Sequence, residues 1–259
     1  MTKVVIAELS NEFEYIEIFP VADLHVGAPE FQESKFLQLL NYVKEKENVF
    51  LILLGDLCNN AIKSSVSNVY EETMPPQEQK KKLIEYLSPV ANKILAMVAG
   101  NHEYRSKKEV GADILEDVAM LLGLEGKYSP DGVVLKVKFG RFKHQSDKKI
   151  AYNFYITHGA STSLRPGGAL NRAELLQLEV ENVDVYIVGH AHKQIVHPTQ
   201  SLFFDDKNNV LIPEDKYVIL TGSWTKWSSY AERKGYRPQK LGCPRILLDG
   251  YFKSIKVEI

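Results

Sequence analysis

Ile94-Leu95-Ala96-Met97-Val98-Ala99-Gly100-Asn101-His102-Glu103 is the stretch from which the fold reads. Apolar residues run straight into a glycine, then into three side chains that bind cations or move protons. A short apolar run closed by glycine reads as a buried strand. Its C-terminal end delivers polar groups into a crevice, where open α/β sheets place their sites. Four other stretches repeat the design: Val21-Ala22-Asp23-Leu24-His25, Leu54-Gly55-Asp56, Ile156-Thr157-His158-Gly159 and Val188-Gly189-His190-Ala191-His192. One strand-end histidine is ordinarily structural. Five strand ends that carry oxygen ligands and imidazoles point to one metal site.

Outward from these ends, the chain alternates strands and helices. Lys3 to Leu9 and Phe13 to Val21 read as strands of a hairpin around Ser10-Asn11-Glu12. Glu30 to Lys46 reads as an amphipathic helix, with Phe36, Leu40 and Val43 on one face. Val49 to Leu54 is apolar throughout, as a central parallel strand is. Asn59 to Met74 is polar and aperiodic, a surface loop. A helix follows Pro75-Pro76, and its Lys80-Lys81-Lys82 run reads either as a solvated face or as a phosphate-tracking patch. Asp113 to Leu122 is a further helix, closed by Gly123. Val133 to Phe139 alternates as a half-buried strand does, and Ile150 to Thr157 is another strand. Gly159 to Leu170 reads as a glycine-rich loop beside the site, Asn171 to Leu178 as a short helix and Val183 to Val188 as a strand. The rest is mostly β: Gln200 to Phe204, Tyr217 to Thr221, Arg245 to Leu248 and Tyr251 to Ile259. The last two are joined at Asp249-Gly250, a hairpin signal. βα units followed by antiparallel strands predict a layered α/β/β/α sandwich of two mixed sheets flanked by helices.

The 259 residues permit one large or two small domains. One domain over 1–259 is expected, because the candidate ligands spread from Asp23 to His192 with no Pro/Gly/Ser-rich linker between them. With 44% hydrophobic and 25% charged residues the composition is globular. A formal net charge of −1 does not by itself predict nucleic-acid binding, yet leaves room for a local basic groove. Two cysteines, Cys58 and Cys243, make no disulfide framework, and with no signal-peptide pattern at Met1 the expected location is the cytoplasm. No apolar run approaches the roughly 20 residues of a membrane span.

Of seven histidines, five sit at strand ends: His25, His102, His158, His190 and His192. His144 and His197 fall elsewhere, in expected helix or loop. Asp-x-His and His-x-His place two ligands two residues apart, which on an extended segment point the same way. With His102 set aside, the ligand set is Asp23, His25, Asp56, Asn101, His158, His190 and His192. Carboxylate, amide and imidazole suit Mn, Fe or Zn, and the absence of ligating Cys argues against a structural zinc site. Seven ligands are too many for one tetrahedral ion and suit two ions sharing a bridging carboxylate.

The pattern D-x-H, G-D, G-N-H-[DE], H, G-H-x-H, complete and in order from 23 to 192, resembles the calcineurin-like metallophosphoesterase superfamily. The resemblance implies two divalent ions, Mn first, with Fe, Zn or Mg as alternatives. It assigns Asp23, His25, Asp56 and His192 to one ion and Asp56, Asn101, His158 and His190 to the other, with Asp56 as the bridge. It implies in-line attack on phosphorus by a hydroxide between the ions. It also implies that His102 is not a ligand but serves the leaving-group oxygen, as an imidazolium that donates a proton, with Glu103 orienting it or an outer ligand. Arg105 reads as a phosphate clamp or a surface ion pair. Asn59 and Asn60 read as substrate donors or turn residues, Asn101 as both ligand and substrate contact, and Cys58 as a small core residue. Arg165 and Arg172 flank the glycine-rich loop and read either as residues that do not touch substrate or as substrate contacts. Trp224, Trp227, Tyr230 and Tyr236 interleave with Lys226, Arg233, Lys234 and Arg237, a pattern that either stacks bases and tracks phosphates or packs a sheet edge.

The expected activity is hydrolysis of phosphate esters, first as a phosphodiesterase on DNA, RNA or nucleotides. The alternatives are a phosphomonoesterase (nucleotidase or protein phosphatase) and a non-catalytic binding module. Gly55-Asp56-Leu57-Cys58-Asn59-Asn60 departs from the serine/threonine protein phosphatase pattern, and little chain follows the core for a repair-nuclease capping domain. The sequence does not set the oligomeric state.

Overall fold

Val49–Leu54 and Ile94–Val98 are buried at every position. A strand without a polar face needs cover on both sides, and these two receive it from helices on one face and a second sheet on the other. The computed structural model describes the whole chain except residues 64, 66–68, 143–147, 161, 162, 164 and 234 and the side chains of Ser229 and Tyr230. His144 and Lys234, part of the glycine-rich loop and the side chain of Tyr230 therefore lie outside the described residues.

In chain order the elements are β1 (Lys3–Glu8), β2 (Tyr15–Val21), α1 (Glu33–Glu45), β3 (Val49–Leu54), α2 (Pro76–Leu87), β4 (Ile94–Val98), α3 (Asn101–Val110), α4 (Ile114–Leu122) and β5 (Tyr128–Ser129). They continue with β6 (Gly132–Phe139), β7 (Ile150–Thr157), α5 (Pro166–Glu174), α6 (Leu176–Glu179), β8 (Val185–Val188), β9 (Gln194–Asp205), β10 (Val210–Thr221), α7 (Ser229–Arg233), β11 (Arg245–Asp249) and β12 (Ile255–Glu258). Two mixed sheets of six strands result, β12-β11-β2-β3-β4-β5 and β1-β6-β7-β8-β10-β9. Ile16, Ile18, Ile52 and Val98 of the first sheet meet Leu135, Phe154, Ile156 and Ile187 of the second in the central core. Phe36, Leu40 and Val43 of α1 join Leu83, Leu87 and Val118 of α2 and α4 over the outer face of the first sheet. Ala169 and Ala173 of α5 pack on Tyr186 and Leu220 of the second. The α/β/β/α sandwich expected from the sequence is the observed architecture.

The N-terminal strands depart from expectation. β1 and β2 form no hairpin: β1 pairs in parallel with β6, Lys3 to Val133 through Glu8 to Lys138, at the edge of the second sheet. β2 lies inside the first sheet between β11 and β3. The burial explains it, since β1 buries only Val5 while β2 buries Ile16, Ile18 and Val21. Helix α3 was not expected, because its exposed, polar residues carry no apolar period. Its helix signals are local: Gly100 at the N-cap, Glu103 in the first turn and left-handed Gly111 at the C-cap. Helix α5 begins at Pro166, inside the expected loop, because proline suits the first helical position. Strands β9 and β10 are longer than expected and pair from Gln194–Thr221 to Asp205–Val210, which places His197 in a strand. Their outer halves are exposed on both faces, so alternation is missing. The turn after Asp249 is wider than two residues, and Asp249 Oδ1 accepts the N–H groups of Tyr251 and Phe252.

Candidate metal centre

Each ligand-bearing segment leaves the C-terminal end of a strand: Asp23 and His25 after β2, Asp56 after β3, Asn101 and His102 after β4, His158 after β7, His190 and His192 after β8. β2, β3 and β4 are parallel neighbours in one sheet, and β7 and β8 in the other. The ligands therefore converge from both sheets on one edge of the sandwich.

The convergence does not come from extended backbone, as the two-residue spacing had suggested. Asp23, His25, Asp56, Asn60, His190 and His192 all have positive φ, between 46° and 62°. Left-handed backbone at a non-glycine residue costs about 1–3 kcal/mol and persists where surrounding structure over-determines it. Here the surroundings are explicit. The 23–26 segment runs alongside 55–58, with Asp23 N–H donating to Gly55 O (3.1 Å), His25 N–H to Asp56 O (3.0 Å) and Val26 N–H to Leu57 O (2.9 Å). Gly55 (φ +79°) and Gly100 lie back to back, and a side-chain carbon on Gly100 would strike Asp56.

Glu103 locks the β3 and β4 ends together. It is 1% exposed, and its carboxylate accepts the N–H groups of Asp56 (2.9 Å), Cys58 (3.0 Å) and Gly100 (2.9 Å). Burial and the neighbouring Asp56 raise its pKa to about 7, against the pull of the Cys58 and Gly100 N–H groups.

Three groups of ligand atoms cluster, each within 4.8 Å: Asp23 with His25 and His192, His25 with Asp56 and His102, and Asp56 with His158 and His190. His25 Nε2 faces His192 Nε2 at 3.2 Å, and His158 Nε2 lies 3.2 Å from Asp56 Oδ2 and 3.1 Å from Asn101 Oδ1. The other ring nitrogens are held: His158 Nδ1 by Leu54 O at 2.6 Å and His25 Nδ1 by Asn59 Oδ1 at 3.1 Å. Outer partners of this kind set the tautomer of metal-binding imidazoles. Asp23 Oδ2 accepts the N–H of His190 at 2.9 Å. Asp23 Oδ1 is fully buried and has no hydrogen-bond partner among the described residues, although His192 Nε2 is 3.1 Å away. A buried carboxylate oxygen left unpartnered, opposed by imidazole nitrogens that converge on the same point, fits a divalent cation.

The charges agree. Burial opposes ionisation of Asp56, yet His158 and His102 hold its pKa well below the carboxylate range. Burial equally opposes the charged form of His158, and Asp56 nonetheless raises it to about 10. His192 is raised by Asp23 against burial. Without metal, His158 thus holds a proton beside Asp56.

Beside this cluster His102 donates from Nδ1 to Asn59 O (2.7 Å) and accepts at Nε2 from Arg105 Nη2 (2.9 Å). Burial lowers its pKa, with Arg105 adding to the effect and Asp56 opposing it. The hydrogen bonds assign a neutral imidazole, not the imidazolium read from the sequence. Its backbone N–H holds Asp56 Oδ1 at 2.8 Å.

The family model of calcineurin-like phosphoesterases matches residues 18–194, more than half of the chain. The chain belongs to this family. A solved structure similar to the phosphoesterase is a metallophosphoesterase from Sphaerobacter thermophilus, with 14% identity and a TM-score of 0.39 over 90% of this chain and 84% of that one. No curated protein sequence matches.

The remaining candidates of the phosphoesterase sort by position. Asn59 lines the cavity over the cluster, but its amide is engaged by His25 and Glu72. Asn60 is fully buried and ties the His102 carbonyl to Ser106. Cys58 is a buried core residue. Lys80, Lys81 and Lys82 pair with Asp117, Glu78 and Glu85, and none lines the cavity. Arg165 and Arg172 do not line it either. Trp224 is buried against Phe36, whereas Trp227 faces the cavity. Sequence reasoning missed Lys193, only 9% exposed, which lines the cavity next to His192 with Nζ on Ser163 O at 2.9 Å. Its signal was adjacency to the last ligand. Gln79, also missed, is buried and braces Asn60 and Glu72.

Proposed function

We propose that this phosphoesterase is a phosphodiesterase acting on nucleic acid or nucleotides, with two divalent ions at Asp23, His25, Asp56 and His192 and at Asp56, Asn101, His158 and His190. The observation that carries this reading is the position of Asp56. Its carboxylate stands between the two sets of ligand atoms, 2% exposed, at the floor of a cavity of about 360 Å³ whose wall carries Arg105, Lys193, Lys226, Arg237 and Lys240. Cations along one wall suit a substrate with charge beyond the reacting phosphate. Because ligands come from both sheets, we also read residues 1–259 as one domain.

When bound, the two ions supply charge neutralisation at phosphorus and acidify the attacking water. The chain supplies the rest. Asp56 and Asp23 hold negative charge where the ions sit. Asn101, at the first turn of α3, offers a neutral donor group beside the positive end of the helix, which favours a phosphate. Arg105 and Lys193 face the cavity as cations for the non-bridging oxygens. His102 holds a proton on Nδ1 and turns Nε2 toward Arg105 and the ligand cluster, placed to serve the leaving oxygen. Oxygen and nitrogen donors without thiolate support Mn as the first ion to test.

The test is Mn²⁺-supported hydrolysis of an aryl phosphodiester against the matching monoester, with Asp56→Asn as control. The proposal expects diester preference and loss of turnover in the control. Monoester preference would move the reading to a phosphomonoesterase. Two bound ions with neither ester hydrolysed would move it to a binding module.

A further inference from the structure

The stretches from Ser223 to Ala231 and from Tyr236 to Gly242 are tied to the ligand loops and wall the cavity above them. Trp224 N–H donates to the carbonyl of Asp23 (3.1 Å), Gln32 N–H to that of Trp224 (2.8 Å), Lys226 N–H to that of Glu30 (2.9 Å) and Gly242 N–H to that of Ser223 (2.9 Å). The start of the first stretch, Trp224 to Lys226, is thus fixed both to the backbone of Asp23 and to the approach to α1, and the far end of the second is tied back to Ser223. From these stretches Trp227, Tyr236, Lys226, Arg237 and Lys240 line the same cavity as His25, Asp56 and His192.

Trp227 is built as a platform. Its indole N–H donates to the carbonyl of Tyr236 at 2.8 Å, which fixes the ring and spends its only donor. Trp227 is 43% exposed, next to Tyr236 at 47%. What it offers a ligand is a π-face. Among the described residues Lys226, Arg237 and Lys240 make no ion pair. Glu30, Glu71 and Glu72 line the cavity too, so a polyanion must run along the lysine and arginine side. A substrate with only a phosphate and a small alcohol has no use for a pinned aromatic face.

We propose that Trp227 is a specificity residue that stacks the nucleobase next to the scissile phosphate, with Lys226, Arg237 and Lys240 taking a neighbouring phosphate. This rests on the phosphodiesterase reading and names its substrate as a nucleobase-bearing phosphodiester with an unpaired base. The volume agrees: about 360 Å³ lies in the range of pockets for one small ligand, and a paired base keeps both its faces inside the duplex stack.

The experiment compares thymidine 5′-(p-nitrophenyl phosphate) with methyl p-nitrophenyl phosphate under Mn²⁺. The esters share leaving group and diester chemistry and differ only in the nucleoside. Trp227→Ala should lower kcat/KM for the thymidine ester about 5- to 150-fold, the range of one base–aromatic stack, and leave the methyl ester within twofold. Trp227→Phe should restore most of the loss. Equal losses on both esters, or none on either, overturn the stack. Two sources of the chemistry are separated by the triple variant Lys226→Ala, Arg237→Ala and Lys240→Ala. A loss confined to a single-stranded oligonucleotide supports the contact to a neighbouring phosphate, and no loss there overturns the role of the three cations and confines the stack to a mononucleotide. If wild type hydrolyses neither ester, the phosphodiesterase reading fails by itself, and thymidine 5′-monophosphate and ribose 5-phosphate are then titrated against tryptophan fluorescence. Quenching by the former alone, absent in Trp227→Phe, upholds the stack, and equal response to both overturns it.

Discussion

Arg105 directs Nη2 at Nε2 of His102, 2.9 Å away, and so caps the ring nitrogen that a leaving group would need. The contact keeps the imidazole neutral, because a protonated Nε2 has no lone pair to accept and a second cation adjacent. Arg105→Ala should therefore raise the His102 pKa. If turnover uses the imidazolium, the alkaline limb of the kcat profile moves to higher pH, while kcat/KM falls by the loss of the phosphate contact proposed for Arg105. A pH–rate series on wild type and variant checks this, and an unmoved limb would separate Arg105 from His102.

His102→Ala should keep both ions and lose about 10²–10⁴ in rate on esters with poor leaving groups. A p-nitrophenyl ester, which leaves without a proton, should suffer far less. Metal stoichiometry and the two rates decide it. Loss of an ion in the variant would make His102 a ligand, a role its place in the His25–Asp56–His102 cluster permits on distance alone.

Glu103→Gln should destabilise the fold by about 2–4 kcal/mol, since an amide presents a donor where three buried N–H groups converge. The pH dependence has a definite sign. The folded pKa of about 7 stands above the ordinary glutamate value, so the folded state binds the extra proton between the two. The stability this group contributes is full below the unfolded pKa and is lost as pH rises through about 7. Denaturant melts of wild type and variant from pH 4 to 8 should differ in slope over that window, and parallel curves would sink the account.

Metal binding should release protons. His158, raised to about 10, is protonated at neutral pH without metal, and Asp23 shifts His192 in the same direction against burial. Ligation requires their lone pairs, so affinity should climb with pH. Calorimetric titration of Mn²⁺ in buffers of different ionisation enthalpy should report at least one proton released. Saturation should also raise the melting temperature, through about 2.7 kcal/mol of added stability per ion at a hundredfold excess over Kd. A buffer-independent heat would contradict the protonated His158.

The sequence by itself picked out the strand ends that the structure gathers at one edge of the sandwich. The convergence of Asp23, His25, Asp56, Asn101, His158, His190 and His192 was legible because each lies at or just past the end of an apolar run. The central strands β3 and β4 were legible because burial on both faces leaves a continuous apolar signature. Tertiary structure alone decided the rest. Periodicity reports how one element is buried, not which partner buries it, so β1 was misplaced beside β2 when it belongs against β6. Polar helix α3 escaped because its reasons for being helical are a cap and a dipole, not a stripe. Left-handed backbone at Asp23, His25 and Asp56 is held by bonds between the 23–26 and 55–58 segments, a pairing that the local sequence does not announce. Trp224 and Trp227, three residues apart, went one to the core and one to the cavity, because long-range contacts choose which ring meets Phe36 and which stays open to a ligand.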